Sequence, residues 1–156
     1  MAQSFATRSN LTPGQARTVA AWRFDDARRL WQSGMAKHMN GAVYLGGLAL
    51  DCLLKARLLE KHPALRSTLP ENLAQRERAR WNLVYRTHDL EAIVGELPDV
   101  TRRLQDASVF GAPRLDTMLK SACSRWSIHV RYLPKRVDAA EADEFLRQVE
   151  ELRRWL

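Results

Sequence analysis

The stretch Ala42-Val43-Tyr44-Leu45-Gly46-Gly47-Leu48-Ala49-Leu50-Asp51-Cys52-Leu53-Leu54-Lys55-Ala56 decides the fold. Wound as a helix, it is apolar on nearly every side, and such a helix belongs at the centre of a bundle. Gly46 and Gly47 each cost about 1 kcal/mol relative to Ala inside a helix. Their presence predicts close approach of a neighbouring helix backbone. The two ionisable residues, Asp51 and Lys55, lie four positions apart and share a face with Tyr44 and Leu48. On a buried helix they must be paired or reach water. Three arrangements satisfy that: a mutual ion pair, an Arg from another helix on Asp51, or the border of a small polar cleft for nucleotide or RNA.

The rest of the chain extends the same helical pattern, and no long alternating strand pattern occurs. Thr12-Pro13 reads as an N-cap and first-turn pair, opening a helix to about Ser33 with Gly34 as its C-cap. Residues 1–12 read as a flexible lead. The central helix is predicted over 35–61, with a break or kink possible at Asn40-Gly41 and a stop at Pro63. A surface helix and connection is expected over 71–85, shorter helices over 89–97, 99–109 and 114–125, and a break at Gly111-Ala112-Pro113. The last helix opens at Asp138, with Ala142, Phe145, Leu146, Val149, Leu152 and Leu156 as its stripe and acidic residues crowding its first half. The expected fold is all-α: an up-and-down bundle of four to five helices with additional short helices, forming one domain over 1–156.

The chain has 156 residues and a net charge of +7, with 25 Lys plus Arg against 18 Asp plus Glu. Twenty of the cations are Arg, a bias that suits bidentate contact with phosphate or carboxylate, although an Arg-favouring codon usage produces it too. Residues 111–136 carry +5 and residues 137–156 carry −3, so no basic tail is its source. No run is long enough to span a bilayer, and the start of the chain lacks the apolar core of a secretion signal. Cys52 and Cys123 stand apart with no ligand spacing around them, which argues against zinc and for buried thiols in a reducing compartment. The expectation is a cytoplasmic protein with no metal, no cofactor and no membrane contact.

Phosphate-binding loops, nucleophile elbows and zinc-protease motifs are absent. Of the four histidines, His129 has the richest surroundings: Arg125-Trp126-Ser127-Ile128-His129-Val130-Arg131-Tyr132. If that stretch is helical, Arg125 and His129 share a face, a pairing suited to metal-free RNA cleavage with His129 as acid or base and Arg125 on the phosphate. The alternative is pairing of these cations with carboxylates at a bundle end. His88 precedes Asp89, a good N-cap, and reads as a packing or hydrogen-bonding residue at a helix entrance. His62 is expected to meet helix-terminal carbonyls, and His38 has no evident partner. Among the tryptophans, Trp81 and Trp126 neighbour cations and are kept as candidate stacking contacts. Arg131, Tyr132, Lys135, Arg136, Asp51 and Lys55 are the candidate nucleic-acid or nucleotide contacts.

The stretch 42–56 resembles the A-x-Y-L-x-G-x-A-x-E-x-x-L-K-A signature of HEPN domains (higher eukaryotes and prokaryotes nucleotide-binding). Ala27-Arg28-Arg29-Leu30 with Gly34, the run His88-Asp89-Leu90, and Trp126 followed by Arg131-Tyr132 resemble further parts of that family in the right order, over residues 20–156. The resemblance implies a helical bundle, often a homodimer, tied to nucleic-acid biology. It implies a prokaryotic toxin–antitoxin or defence role, frequently beside a nucleotidyltransferase antitoxin. Active members are metal-independent endoribonucleases with an R-x(4–6)-H motif near the last core helix. Here Arg125 and His129 are separated by three residues, the one formal match is Arg57 to His62 at the end of the central helix, and Asp51 stands where the family has Glu. The expected function is therefore RNA, nucleotide or nucleotidyltransferase binding through the Arg-rich stretch 114–136. A ribonuclease using Arg125 and His129, with Arg131 assisting, and a structural adaptor are the alternatives.

Overall fold

The computed structural model describes residues 10–66, 69–109 and 114–156. They form an all-α bundle with no strand among them. The helices are α1 (Pro13–Gln32), α2 (Met39–Lys61), α3 (Gln75–Tyr85), α4 (Leu90–Gly95), α5 (Pro98–Val109), α6 (Leu115–Arg125) and α7 (Ala139–Leu152). Short 3-10 turns occupy Ala36–His38, Pro63–Arg66, Pro70–Asn72 and Ile128–Tyr132. None of these helices is long and apolar enough to cross a membrane. The break expected at Gly111-Ala112-Pro113 and most of the expected flexible lead lie outside the described residues.

Local chemistry sets the helix starts. Thr12 Oγ1 accepts from the Gln15 N–H at 3.2 Å while Gln15 Oε1 accepts from the Thr12 N–H at 2.9 Å, and Pro13 fills the first turn. Asp138 and Glu141 repeat this reciprocal cap on α7. Past the end of α1, Gly34 takes φ +65°, the left-handed conformation that ends a helix at low cost only in glycine.

The central helix starts at Met39, later than expected, because Met35 is extended and Ala36–His38 forms a 3-10 turn. Asn40-Gly41 does not break it. The Asn40 amide is engaged elsewhere, donating to the carbonyls of Val130 and Lys135, both at 3.3 Å, and accepting from the Val137 N–H at 2.7 Å. One side chain thereby ties the loop before α7 to the first turn of α2. His38, expected to be alone, meets Ser33 Oγ at 2.9 Å.

α2 is buried along its length, packed by α1 on one side and by α7, α4, α3 and the 128–132 turn around the rest. The two glycines admit side chains, not the helix backbone that the sequence suggested. A Cβ on Gly46 would sit 2.6 Å from Leu146, and one on Gly47 would sit 1.9 Å from Nε1 of Trp126. The Trp126 indole therefore lies flat on α2, only 6% exposed. This corrects the stacking assignment: Trp126 and Trp81 are core residues, and the exposed tryptophan is Trp22 on α1.

The 71–85 stretch is a 3-10 turn followed by a shorter helix, and α3 is less of a surface element than its composition implied. Trp81 and Val84 are buried, and Arg80 goes in with them. Arg80 remains charged there because it binds two carboxylates, Glu77 and Glu96, the latter at 2.6 Å.

Candidate functional site

The polar face of α2 carries the site. Asp51 is 1% exposed and Lys55 6%. Lys55 Nζ lies 2.9 Å from Asp51 Oδ2 and donates to the Thr87 carbonyl at 2.7 Å. The mutual ion pair is thus present, and burial explains it: neither charge can leave water without a partner. The sequence did not reveal the third member. His88 Nδ1 lies 2.9 Å from the same Asp51 Oδ2, reaching it from 37 positions away. The His88 side chain is 39% exposed, whereas that of Asp51 is 2% exposed, so the pair runs from core to surface. His88 also lines a cleft of about 310 Å³ with Thr87, Glu91, Ser124, Trp126 and Ser127.

Arg131 does not join Asp51 and Lys55. Its guanidinium carbon lies 4.9 Å from the centre of the Tyr44 ring and 4.4 Å from that of Tyr132. It donates to the Tyr44 hydroxyl at 2.9 Å and to the Tyr132 hydroxyl. Two aromatic faces and two hydroxyls hold the cation at the surface, an arrangement that fixes a planar fork without neutralising it. Tyr132 is 66% exposed, and Leu133, Lys135 and Arg136 continue the exposed strip. Among the described residues no carboxylate lies within ion-pair distance of Arg131, Lys135 or Arg136. The Asn40 amide holds the backbone of this strip from beneath.

The stretch from Arg125 to His129 is not helical, so the shared face that a helix would give this pair does not form. α6 ends at Arg125, and Trp126 and Ser127 are extended. Ser127 Oγ then accepts from the His129 N–H at 3.2 Å and opens the 3-10 turn that carries His129 and Arg131. The chain leaves the helix at Trp126, whose indole is seated on Gly47. Arg125 instead pairs with Glu144 of α7 at 3.1 Å. His129 is exposed.

The formal R-x(4–6)-H match is also engaged in structure. Arg57 binds Glu60 at 3.2 Å, and His62 faces Glu77 at 3.8 Å where helix-terminal carbonyls were expected. Burial, and then the Arg80 guanidinium, hold the His62 imidazole below its ordinary value of 6.5. The unfolded chain therefore takes up this proton more readily than the folded one. Stability conferred by neutral His62 is complete above about pH 6.5 and is lost as the pH falls through the lower folded value. Glu96 and Asp99, held below the usual carboxylate range by Arg80 and Lys61, lose their contributions only below about pH 4.5. Urea midpoints taken between pH 7 and pH 5 are expected to fall, and His62→Gln is expected to flatten that decline while leaving the steeper loss below pH 4.5.

Neither cysteine is an activated nucleophile. Burial pushes Cys52 up to about 11 and Cys123 up to about 12. No protein-family model, curated protein or solved structure matches the chain.

Proposed function

We propose that this chain is an HEPN-type helical protein that binds single-stranded RNA, or a nucleotide, through the strip Arg131, Tyr132, Lys135 and Arg136. The observation that carries the reading is the state of Arg131: exposed, stacked between Tyr44 and Tyr132, and free of any ion-pair partner among the described residues. Single-strand binding uses this combination, a cationic track for phosphates with aromatic faces for bases. Asp51 and Lys55, named beforehand as possible contacts, neutralise each other beneath the surface and are not part of the strip. A homodimer, a nucleotidyltransferase partner, a toxin–antitoxin or defence role and a cytoplasmic location belong to the same reading. The family resemblance of residues 42–56 supports them.

Fluorescence anisotropy with a labelled RNA oligonucleotide tests the binding. Affinity is expected to fall with salt at a log–log slope of about −2, as three phosphate contacts on a single strand require. Arg131→Ala is expected to weaken binding by about 10-fold to 100-fold, the scale of one stacked and charged contact. Joint replacement of Lys135 and Arg136 by Ala is expected to reduce the slope by about 1.4. Absence of RNA binding at low salt, with no partner captured, refutes the reading.

A further inference from the structure

The chain from the 128–132 turn to α7 alternates in chemistry, and the binding strip uses only its polar members. Arg131, Tyr132, Lys135 and Arg136 are exposed, while Val130, Leu133 and Val137, interleaved with them, line a cleft of about 210 Å³. Val43 of α2 and Phe145 of α7, both buried, complete its apolar lining. The Asn40 amide holds the backbone of all three loop residues. It donates to the Val130 carbonyl at 3.3 Å, lies 3.5 Å from the Leu133 carbonyl and accepts from the Val137 N–H at 2.7 Å. The cleft is therefore formed in advance, and a ligand has little to order on entering it.

Two charged side chains line the same cleft: Arg125 at the end of α6 and Glu141 in the first turn of α7. Arg125 meets Glu144 through Nη1, and its fork carries further N–H donors. Glu141 accepts from the Asp138 N–H through Oε2 at 3.4 Å, which leaves Oε1 and further lone pairs to accept. The cleft is smaller than the about 300 Å³ at which sites for drug-sized ligands begin, so it takes one ring system. An apolar protein side chain matches the walls but neither Arg125 nor Glu141. Guanine matches all of them. Its O6 and N7 are adjacent acceptors, the pair that an Arg binds bidentately, and its N1–H and N2–H groups are adjacent donors for a carboxylate. Adenine sets a donor beside N7, and neither pyrimidine offers both pairs.

We infer that this cleft is a guanine subsite, which takes one base of a single strand whose phosphates lie on Arg131, Lys135 and Arg136. Arg125 binds the O6 and N7 edge, Glu141 accepts from N1–H and N2–H, and Leu133 and Val137 cover the ring. This inference deepens the RNA-binding reading and rests on it. It supplies what the strip lacks, because stacking on an arginine and a tyrosine tolerates every base.

The test is fluorescence anisotropy of the full chain with a short labelled oligouridine, and with the same oligomer carrying one central guanosine, adenosine, inosine or 7-deazaguanosine. The guanosine oligomer is expected to bind about 5-fold to 150-fold more tightly than oligouridine, the discrimination of one bidentate base contact. Adenosine is expected to bring no gain. Inosine, which lacks the N2 amine, and 7-deazaguanosine, which lacks the N7 acceptor, are each expected to bring only part of it. Glu141→Gln keeps the helix cap, which glutamine also makes, but replaces an accepting oxygen by a donor. It is expected to bring the guanosine oligomer down to the affinity of oligouridine. Arg125→Lys, which keeps the charge and loses the fork, is expected to do the same. Equal affinity for all five oligomers, a preference for adenosine, full gain with both inosine and 7-deazaguanosine, or an undiminished guanosine preference in Glu141→Gln overturns this inference alone. Absence of binding to every oligomer at low salt overturns the RNA-binding reading beneath it.

Discussion

Asp51→Ala is expected to destabilise the fold by about 3–5 kcal/mol, the cost of breaking a buried ion pair by removing one partner. The variant leaves the Lys55 ammonium, only 6% exposed, with the Thr87 carbonyl as its remaining acceptor. It also releases His88 from its tether. A urea titration followed by circular dichroism measures the loss. Lys55→Met in the Asp51→Ala background is expected to recover most of it, because an apolar pair of similar volume meets no desolvation penalty. A double variant no more stable than Asp51→Ala alone would show that the cost lies elsewhere. The exposed pairs supply the contrast. Arg28 with Asp25 and Arg154 with Glu151 lie on helix surfaces, and their loss is expected to cost well under about 1 kcal/mol each.

Gly47→Ala is expected to cost about 3 kcal/mol, although alanine is the better helix former by about 1 kcal/mol. The added methyl would lie 1.9 Å from the Trp126 Nε1 atom and 2.1 Å from the adjoining ring carbon, inside a rigid indole that is itself buried. Relief requires Trp126 to move, and with it the extended residues that separate α6 from the 128–132 turn. Thermal unfolding of Gly47→Ala, Trp126→Leu and the double variant measures the coupling. The double variant is expected to cost clearly less than the two single costs added together. Gly46→Ala provides the comparison. Its methyl meets the end of the Leu146 side chain at 2.6 Å, which can change rotamer, so its cost is expected to be smaller.

Much of the fold was legible because its signals are local. The all-round apolarity of residues 42–56 marked the central helix, and α2 is buried as that pattern requires. Thr12-Pro13, Gly34, Asp89 and Asp138 marked helix boundaries through caps that operate within a few residues. Where local reading failed, a distant partner had redirected a local preference. Asn40-Gly41 left a break or kink open, yet the Asn40 amide serves the loop 90 to 97 positions later and the helix runs through it. A shared face for Arg125 and His129 depended on a helix through 125–129, and the chain is instead extended at Trp126, whose indole is seated on Gly47.

The candidate site divides in the same way. Its residue types, Asp51, Lys55, Arg131, Tyr132, Lys135 and Arg136, were all visible as ionisable or aromatic groups in unusual places. Their grouping was not. Two buried charges four apart on a helix had to be satisfied, and the ion pair follows from that alone. That His88 would be the third member, and that Arg131 would stack on Tyr44 instead of reaching Asp51, depended on where separate helices meet. An all-α chain with a buried central helix, a charged pair upon it and a cationic segment before an acidic last helix could be read from the residues alone, because periodicity, caps and charge act over neighbouring residues. That Arg131 stacks on Tyr44 and Tyr132, and that the buried acid holds His88, followed from how the helices pack, because those contacts are made across the bundle by groups brought together when its core closes.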